Sequence, residues 1–158
     1  MDRLSVLPFR LAGQHLAVPL ENVIRVIPAL QCLPLPGAPP TVLGLANLRG
    51  QVVPVVDLAR RFAWPATSVG LWQPFIWLRS RTRELLIPVE RVDTATECEP
   101  ADVIPADQPQ VPSERVRGVL RTATGMLLIQ DVEQVLSDAD EAELQRALDA
   151  RGANHAPG

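Results

Sequence analysis

Lysine and tyrosine are absent from the 158-residue sequence, and histidine and cysteine occur only twice each. Every one of the 15 basic residues is therefore arginine, set against 18 acidic residues for a net charge of −3. The missing lysine is read as genomic composition rather than mechanism. No run of bases is dense enough to follow a phosphate backbone, which excludes nucleic-acid binding. Cys32 and Cys98 stand apart with no Cys-x-x-Cys pair, a pattern of buried thiols rather than of a disulfide or a metal site. Of the two histidines, His155 sits in a terminal tail and His15 in an amphipathic strand, where a surface role outweighs a catalytic one. There is no Ser, His and Asp grouping, no histidine cluster and no glycine-rich phosphate loop. No catalytic residue, metal ligand or cofactor is assigned, and the function is sought in surfaces. Nor does any apolar run approach the ~20 residues that cross a bilayer, so the chain is expected to be soluble and cytoplasmic, without membrane insertion.

What the sequence does have is apolar content (47%) and 16 prolines. The first supports a substantial core. The second breaks the chain into short elements and favours a mainly β fold. Strands are expected at 4–11, 15–18, 32–35, 43–48, 52–56, 75–78, 85–89, 116–120 and 126–129. Residues 19–27 are open between helix and strand, and 63–74 read as a linker with two tryptophans. Residues 94–113 read as a solvated loop rich in proline and acid, since no base lies between Arg91 and Arg115. Residues 138–151 form the one convincing helix, started by Asp138 or Asp140 and ended by Gly152, with a frayed tail over 153–158.

The order of these elements repeats. Phe9, a turn and Pro19-Leu20-Glu21-Asn22-Val23 are echoed by Phe75, a turn and Pro88-Val89-Glu90-Arg91-Val92. Val55-Val56-Asp57-Leu58 is echoed by Ile129-Gln130-Asp131-Val132. Two related modules of about five short strands follow, and two small barrels packed together would leave no exposed edges. The first is expected mainly in 12–66 and the second mainly in 75–137, with the termini shared between them, within one domain spanning 1–152.

The chain is organised around residues 43–58. Two branched apolar runs flank the turn Arg49-Gly50-Gln51, where Gly50 supplies a positive φ. Asp57 is placed to cap a single helical turn, 58–62. Arg49 has two readings here: it folds back onto a carboxylate such as Asp57, or its five donors face a partner. Val23, Ile24 and Ile27, with Arg25 beside them, form an apolar stripe shared between core and an exposed strip. The turn 79–83, Arg-Ser-Arg-Thr-Arg, reads as a solvated hairpin tip.

Gly44, Asn47-Leu48-Arg49-Gly50 and Val53-Pro54-Val55-Val56-Asp57-Leu58 resemble the signature of CheW-type coupling proteins of bacterial chemotaxis. The likeness extends over roughly 4–150. It implies two intertwined five-stranded barrels of the Src-homology-3 type, short helical turns and a C-terminal helix. It also implies a non-catalytic adaptor between the hairpin tip of a methyl-accepting chemoreceptor and the regulatory domain of a CheA-type histidine kinase. Such an adaptor is recruited to membrane receptor arrays, with ring assembly a further possibility. On this resemblance Val23, Ile24, Arg25, Ile27 and Arg49 contact the receptor, Gly44, Asn47, Gly50 and Asp57 carry the hairpin signature, and Arg49→Ala or Val23→Asp removes binding without unfolding the chain. The sequence departs from the family at Arg25, Leu86, Pro88 and Glu90, which bears on the identity of the partner and on pairing near Pro88. The alternative function is a small-ligand sensor or accessory regulator, for pili or gliding, using an apolar groove between the modules.

Overall fold

The computed structural model describes residues 4–65, 73–105, 116–122 and 125–154. Strands β1 (Leu4–Leu11) and β2 (Gln14–Pro19) form a first hairpin, followed by β3 (Val23–Ile27), β4 (Val42–Leu48) and β5 (Gln51–Val56). A one-turn helix α1 (Leu58–Arg61) ends the first half. The second half runs through β6 (Phe75–Arg79), β7 (Glu84–Pro88), β8 (Arg91–Val92), β9 (Thr96–Cys98), β10 (Val103–Pro105), β11 (Val116–Thr122) and β12 (Gly125–Gln130) to helix α2 (Asp138–Asn154). The open stretch 19–27 resolves into a 3-10 turn at 20–22 and an extended β3, whose branched Val and Ile residues suit a strand.

These strands make two sheets, one of five in the order β3-β6-β7-β5-β4 and one of seven along β10-β11-β12-β2-β1-β8, with β9 also on β1. The sheets do not follow the halves of the chain. Hairpin β6–β7 sits in the middle of the five-stranded sheet, among strands of the first half. Hairpin β1–β2 sits inside the seven-stranded sheet, among strands of the second. Each hairpin is locked by the same device, a short parallel pairing: Val55 beside Leu86 in one sheet, Leu128 and Ile129 beside Leu16 and Ala17 in the other. Sheet membership therefore crosses the boundary anticipated between 66 and 75.

Three apolar layers result. Ala46, Val53, Val55, Phe75 and Leu86 pack within the five-stranded sheet, and Val6, Ala17, Leu120 and Ile129 within the seven-stranded one. The opposite faces of both sheets, with Leu58, Phe62, Val135 and Leu144 from the helical segments, fill the large core between them. Strand alternation feeds two cores at once: Leu7 and Phe9 enter the shared core, and Val6, just before them, enters the smaller one.

Several local expectations change. Residues 32–35 form no strand but a single bridge, Leu33 to Leu45, because the prolines around it permit no longer ladder. The supposed loop 94–113 contains β9, a 3-10 turn and β10 in its described part; 106–115 lie outside the described residues, as do 66–72 of the linker, Trp72 among them. Helix α2 is capped by Ser137, whose Oγ accepts from the Asp140 N–H at 3.1 Å, and it runs through Gly152 to Asn154. Of the tail, 155–158 lie outside the described residues. Pro88 lies on a central strand rather than an edge; it is tolerated at the strand's end, past the Val55–Leu86 pairing.

Both repeats carry a bulge before the first glycine of their last hairpin, between Val42 and Gly44 and between Val116 and Gly118. At each, a neighbouring strand crosses where a side chain would stand. A Cβ on Gly44 would lie 2.4 Å from the Leu33 carbonyl oxygen, and one on Gly118 would lie 2.9 Å from that of Ile104. Gly44 also has φ +152°, whereas Gly13 (φ +74°) has open space around it. Gly44→Ala is expected to destabilise by roughly 2–4 kcal/mol and Gly13→Ala by only about 1 kcal/mol. Urea unfolding midpoints of the two variants measure the difference.

Candidate functional site

β3 is an edge strand of the five-stranded sheet, with β4 at the other edge. Its register on β6 shifts between Val23 and Arg25. The stripe inferred from sequence is thereby divided between faces. Val23 is half-buried against the shared core and Ile27 against the five-stranded sheet's own core. Ile24 (37%) and Val26 (38%) are exposed, with Arg25 exposed between them. Val26 was not singled out by sequence reasoning, since a helical spacing leaves it off the stripe; extended geometry brings it out. Val23→Asp would bury a charge against the core, so the reading of that substitution as harmless to the fold is corrected.

The turn between β4 and β5 is a two-residue turn with both central residues at positive φ, Arg49 at +54° and Gly50 at +90°. Asn47 Oδ1 accepts from the Gly50 N–H at 2.7 Å and closes it. Arginine at the first such position costs on the order of 1 kcal/mol relative to the Asn or Gly that this turn favours. No internal contact offsets that strain, because Arg49 makes no hydrogen bond or ion pair among the described residues. The reading in which Arg49 folds onto Asp57 is corrected: Asp57 Oδ1 instead accepts from the Arg60 N–H at 3.1 Å as the cap of α1. Asp131 caps the equivalent 3-10 turn, accepting from the Glu133 N–H at 3.0 Å.

A second turn, 80–83, sits beside the first. Gln51 Nε2 donates to Glu84 Oε2, and Arg79 Nη2 donates to Glu84 Oε1 at 3.1 Å, so one carboxylate ties both turns. The second turn is no free tip. The Arg81 N–H donates to Glu133 Oε1 at 2.9 Å, and Arg83 donates from Nε to Glu141 Oε1 at 2.6 Å and from Nη2 to Gln145 Oε1 at 2.8 Å. Helix α2 thus braces the end of the sheet that presents Arg49. The role of Arg83 was invisible in the sequence, because its partners lie 58 and 62 residues away.

Between this end of the sheet and the seven-stranded sheet lies an open cleft of about 740 Å³, lined by Glu21, Asn22, Arg79, Arg81, Arg117 and Glu133 among others. It is charged, unlike the apolar groove expected between the modules. The apolar space between the sheets is filled by the shared core.

The remaining reactive groups are quiet. Cys32 and Cys98 are free and half-buried, less enclosed than the sequence suggested. Burial raises the Cys32 thiol above its ordinary range; burial, then Asp102 and Glu99, raise that of Cys98. Neither favours a thiolate nucleophile. Among the described residues no three His, Cys, Asp or Glu side chains come together to hold a metal. Among the described residues no helix is long and apolar enough to cross a membrane.

A family model described as the CheW-like domain matches residues 5–140. Among curated proteins, the chain is 23% identical over 151 residues to "Chemotaxis protein CheW" of Treponema pallidum, covering 90% of this chain and 88% of that one. It is 27% identical over 133 residues to the protein of that name in Rhizobium meliloti, covering 83% and 86%. "Protein FrzA" of Myxococcus xanthus is 44% identical over 62 residues, 39% of each chain. Among solved structures, the scaffolding protein TtCheW of Thermoanaerobacter tengcongensis superimposes with a TM-score of 0.76 at 20% identity, over 85% of this chain and 92% of that one.

The bracing of the sheet end is open to direct measurement. The Arg83 and Glu141 side chains are only 14% and 28% exposed. Arg83→Ala is expected to cost roughly 1–3 kcal/mol. Amide exchange should quicken at Arg81 and along α2 while β1 and β2 stay protected.

Proposed function

The chain belongs to the CheW-like domain family, and from that premise we propose that it acts as a non-catalytic adaptor coupling chemoreceptors to a CheA-type histidine kinase. The chemotaxis-adaptor role follows from the family match over most of the chain and from relatives that bear the CheW name. The finer reading assigns surfaces. The edge strand β3, through Ile24, Arg25 and Val26, and the Arg49 turn face the receptor's hairpin tip, with Val23 and Ile27 fixing β3 from behind. The kinase's regulatory domain takes another face, and the adaptor acts in the cytoplasm at membrane arrays.

The observation that carries this assignment is Arg49: a strained arginine on a turn braced through Gln51 and Glu84, without a partner among the described residues. The exposed apolar side chains of edge strand β3 supply area that a single guanidinium lacks. Arg25 adds positive charge to this strip, so the matching receptor segment carries carboxylates. The sensor reading loses its support, since the space it needs is packed with side chains.

Arg49→Ala and Ile24→Asp are expected to weaken binding of the cognate receptor's cytoplasmic hairpin by tenfold or more each, as hot-spot changes of about 1.4 kcal/mol or greater would. Their unfolding midpoints should match the parent chain. Calorimetric titration against the receptor fragment, and separately against the kinase's regulatory domain, checks both halves. Unchanged receptor affinity in both variants would move the receptor surface elsewhere. No binding to either fragment would remove the adaptor reading.

A further inference from the structure

The internal repeat supplies its own control for a second site. In β6–β7, Arg79 pairs across the hairpin with Glu84, and the two form an ion pair at 3.1 Å. Both lie on the face that carries Phe75, Trp77 and Leu86 into the small core, at the sheet's end beyond that core. Counting back from the prolines that close each hairpin, Pro88 opposite Phe75 and Pro19 opposite Val6, the equivalent pair in β1–β2 is Arg10 opposite His15. Arg10 follows Val6 and His15 precedes Ala17 on the face that packs the seven-stranded sheet's own core. Histidine thus stands where the other hairpin has its carboxylate.

The next strand sharpens the imbalance. Arg91 of β8 pairs directly with Arg10, so three bases, Arg91, Arg10 and His15, lie in one row across three adjacent strands. Like charges placed directly opposite are destabilising. Asp93 meets Arg91 at 2.9 Å, but Arg10 and His15 make no hydrogen bond or ion pair among the described residues. Arg10 and His15 open into a cleft of about 760 Å³ lined also by Pro8, Asp93, Thr94, Thr122 and Met126, with Arg91 outside its lining. Towards His15, β12 contributes only Gly125, Met126 and Leu127, which bring no charge. The nearby Glu90 carboxylate already accepts from the Ala12 N–H at 2.8 Å.

We propose that the cleft at this end of the seven-stranded sheet is an oxyanion site, in which Arg10 and the imidazolium of His15 hold a phosphate-class dianion with Arg91 behind them. A planar guanidinium and a ring N–H side by side present converging donors to tetrahedral oxygens. The dianion supplies the negative charge that Glu84 supplies internally in the other hairpin. His15 contributes a ring N–H to the bound oxyanion beside the Arg10 fork. Asp93 opposes this in part and is already engaged by Arg91.

The chain has only two histidines, so imidazole NMR reads the site directly, with His155 as internal reference. Titrating the full chain with inorganic phosphate at constant ionic strength should shift the His15 resonances saturably in the millimolar range and raise their titration midpoint, leaving His155 unmoved. Arg10→Ala should weaken phosphate binding roughly tenfold or more. His15→Glu, which rebuilds the pair seen at Arg79 and Glu84, should abolish it while keeping the fold. A peptide bearing one phosphoserine separates the sources of such a group: tighter binding than phosphate assigns a partner's phosphorylated side chain, equal or weaker binding a free small anion. A linear, unsaturable response, or saturation unaltered in Arg10→Ala, overturns the proposal.

Discussion

Neither half of this chain can close its own sheet. The five-stranded sheet needs β6–β7 at its centre and the seven-stranded sheet needs β1–β2 inside it, so each half completes the other. The two hairpins cannot dock independently. Their outer faces, through Leu7, Phe9, Leu16 and Val18 on one and Ile76, Leu78, Leu85 and Ile87 on the other, meet in the shared core. Once that core forms, the two modules are tied to each other through both sheets. An adaptor built this way transmits position as a rigid body.

Rigidity in the middle leaves function to the ends of the sheets. The Arg49 turn is held by Asn47 from within and by Glu84 from the side, and Glu84 belongs to the exchanged hairpin. The presentation of Arg49 therefore depends on chain exchange as well as on its own sequence. Helix α2 extends the same dependence, since Arg83 in that hairpin is clasped by Glu141 and Gln145. Strain at Arg49 is tolerable because its surroundings are over-determined.

Much of this was legible in the sequence where the signal is local. The hairpin 43–56 and the caps Asp57 and Asp131 depend on neighbours in the chain, and they stand as read. What depends on distant partners was not legible. Arg83 reads as a solvated turn residue because nothing near it in sequence is acidic except Glu84, and its partners come from α2. The strip 23–27 was open because Val and Ile at these spacings suit a strand or a helix, and only pairing with β6 decides which side chains face out. The exchange itself leaves no mark: a repeat in the sequence states that two modules exist and not which strands they share.

The repeat also shows where the two modules have diverged, and divergence is informative because the backbone is held constant. Both keep the bulge glycine, the aspartate cap and the proline-closed hairpin, which are demands of the shared geometry. They differ at the sheet ends. One has an arginine neutralised by Glu84 and tied to the Arg49 turn; the other has an arginine facing histidine and a second arginine, with no internal anion between them. A residue kept by folding should recur in both modules, and a residue kept for something outside the fold has no reason to. By that criterion Arg49, Arg10 and His15 stand out among the described residues as side chains this chain does not pair with itself.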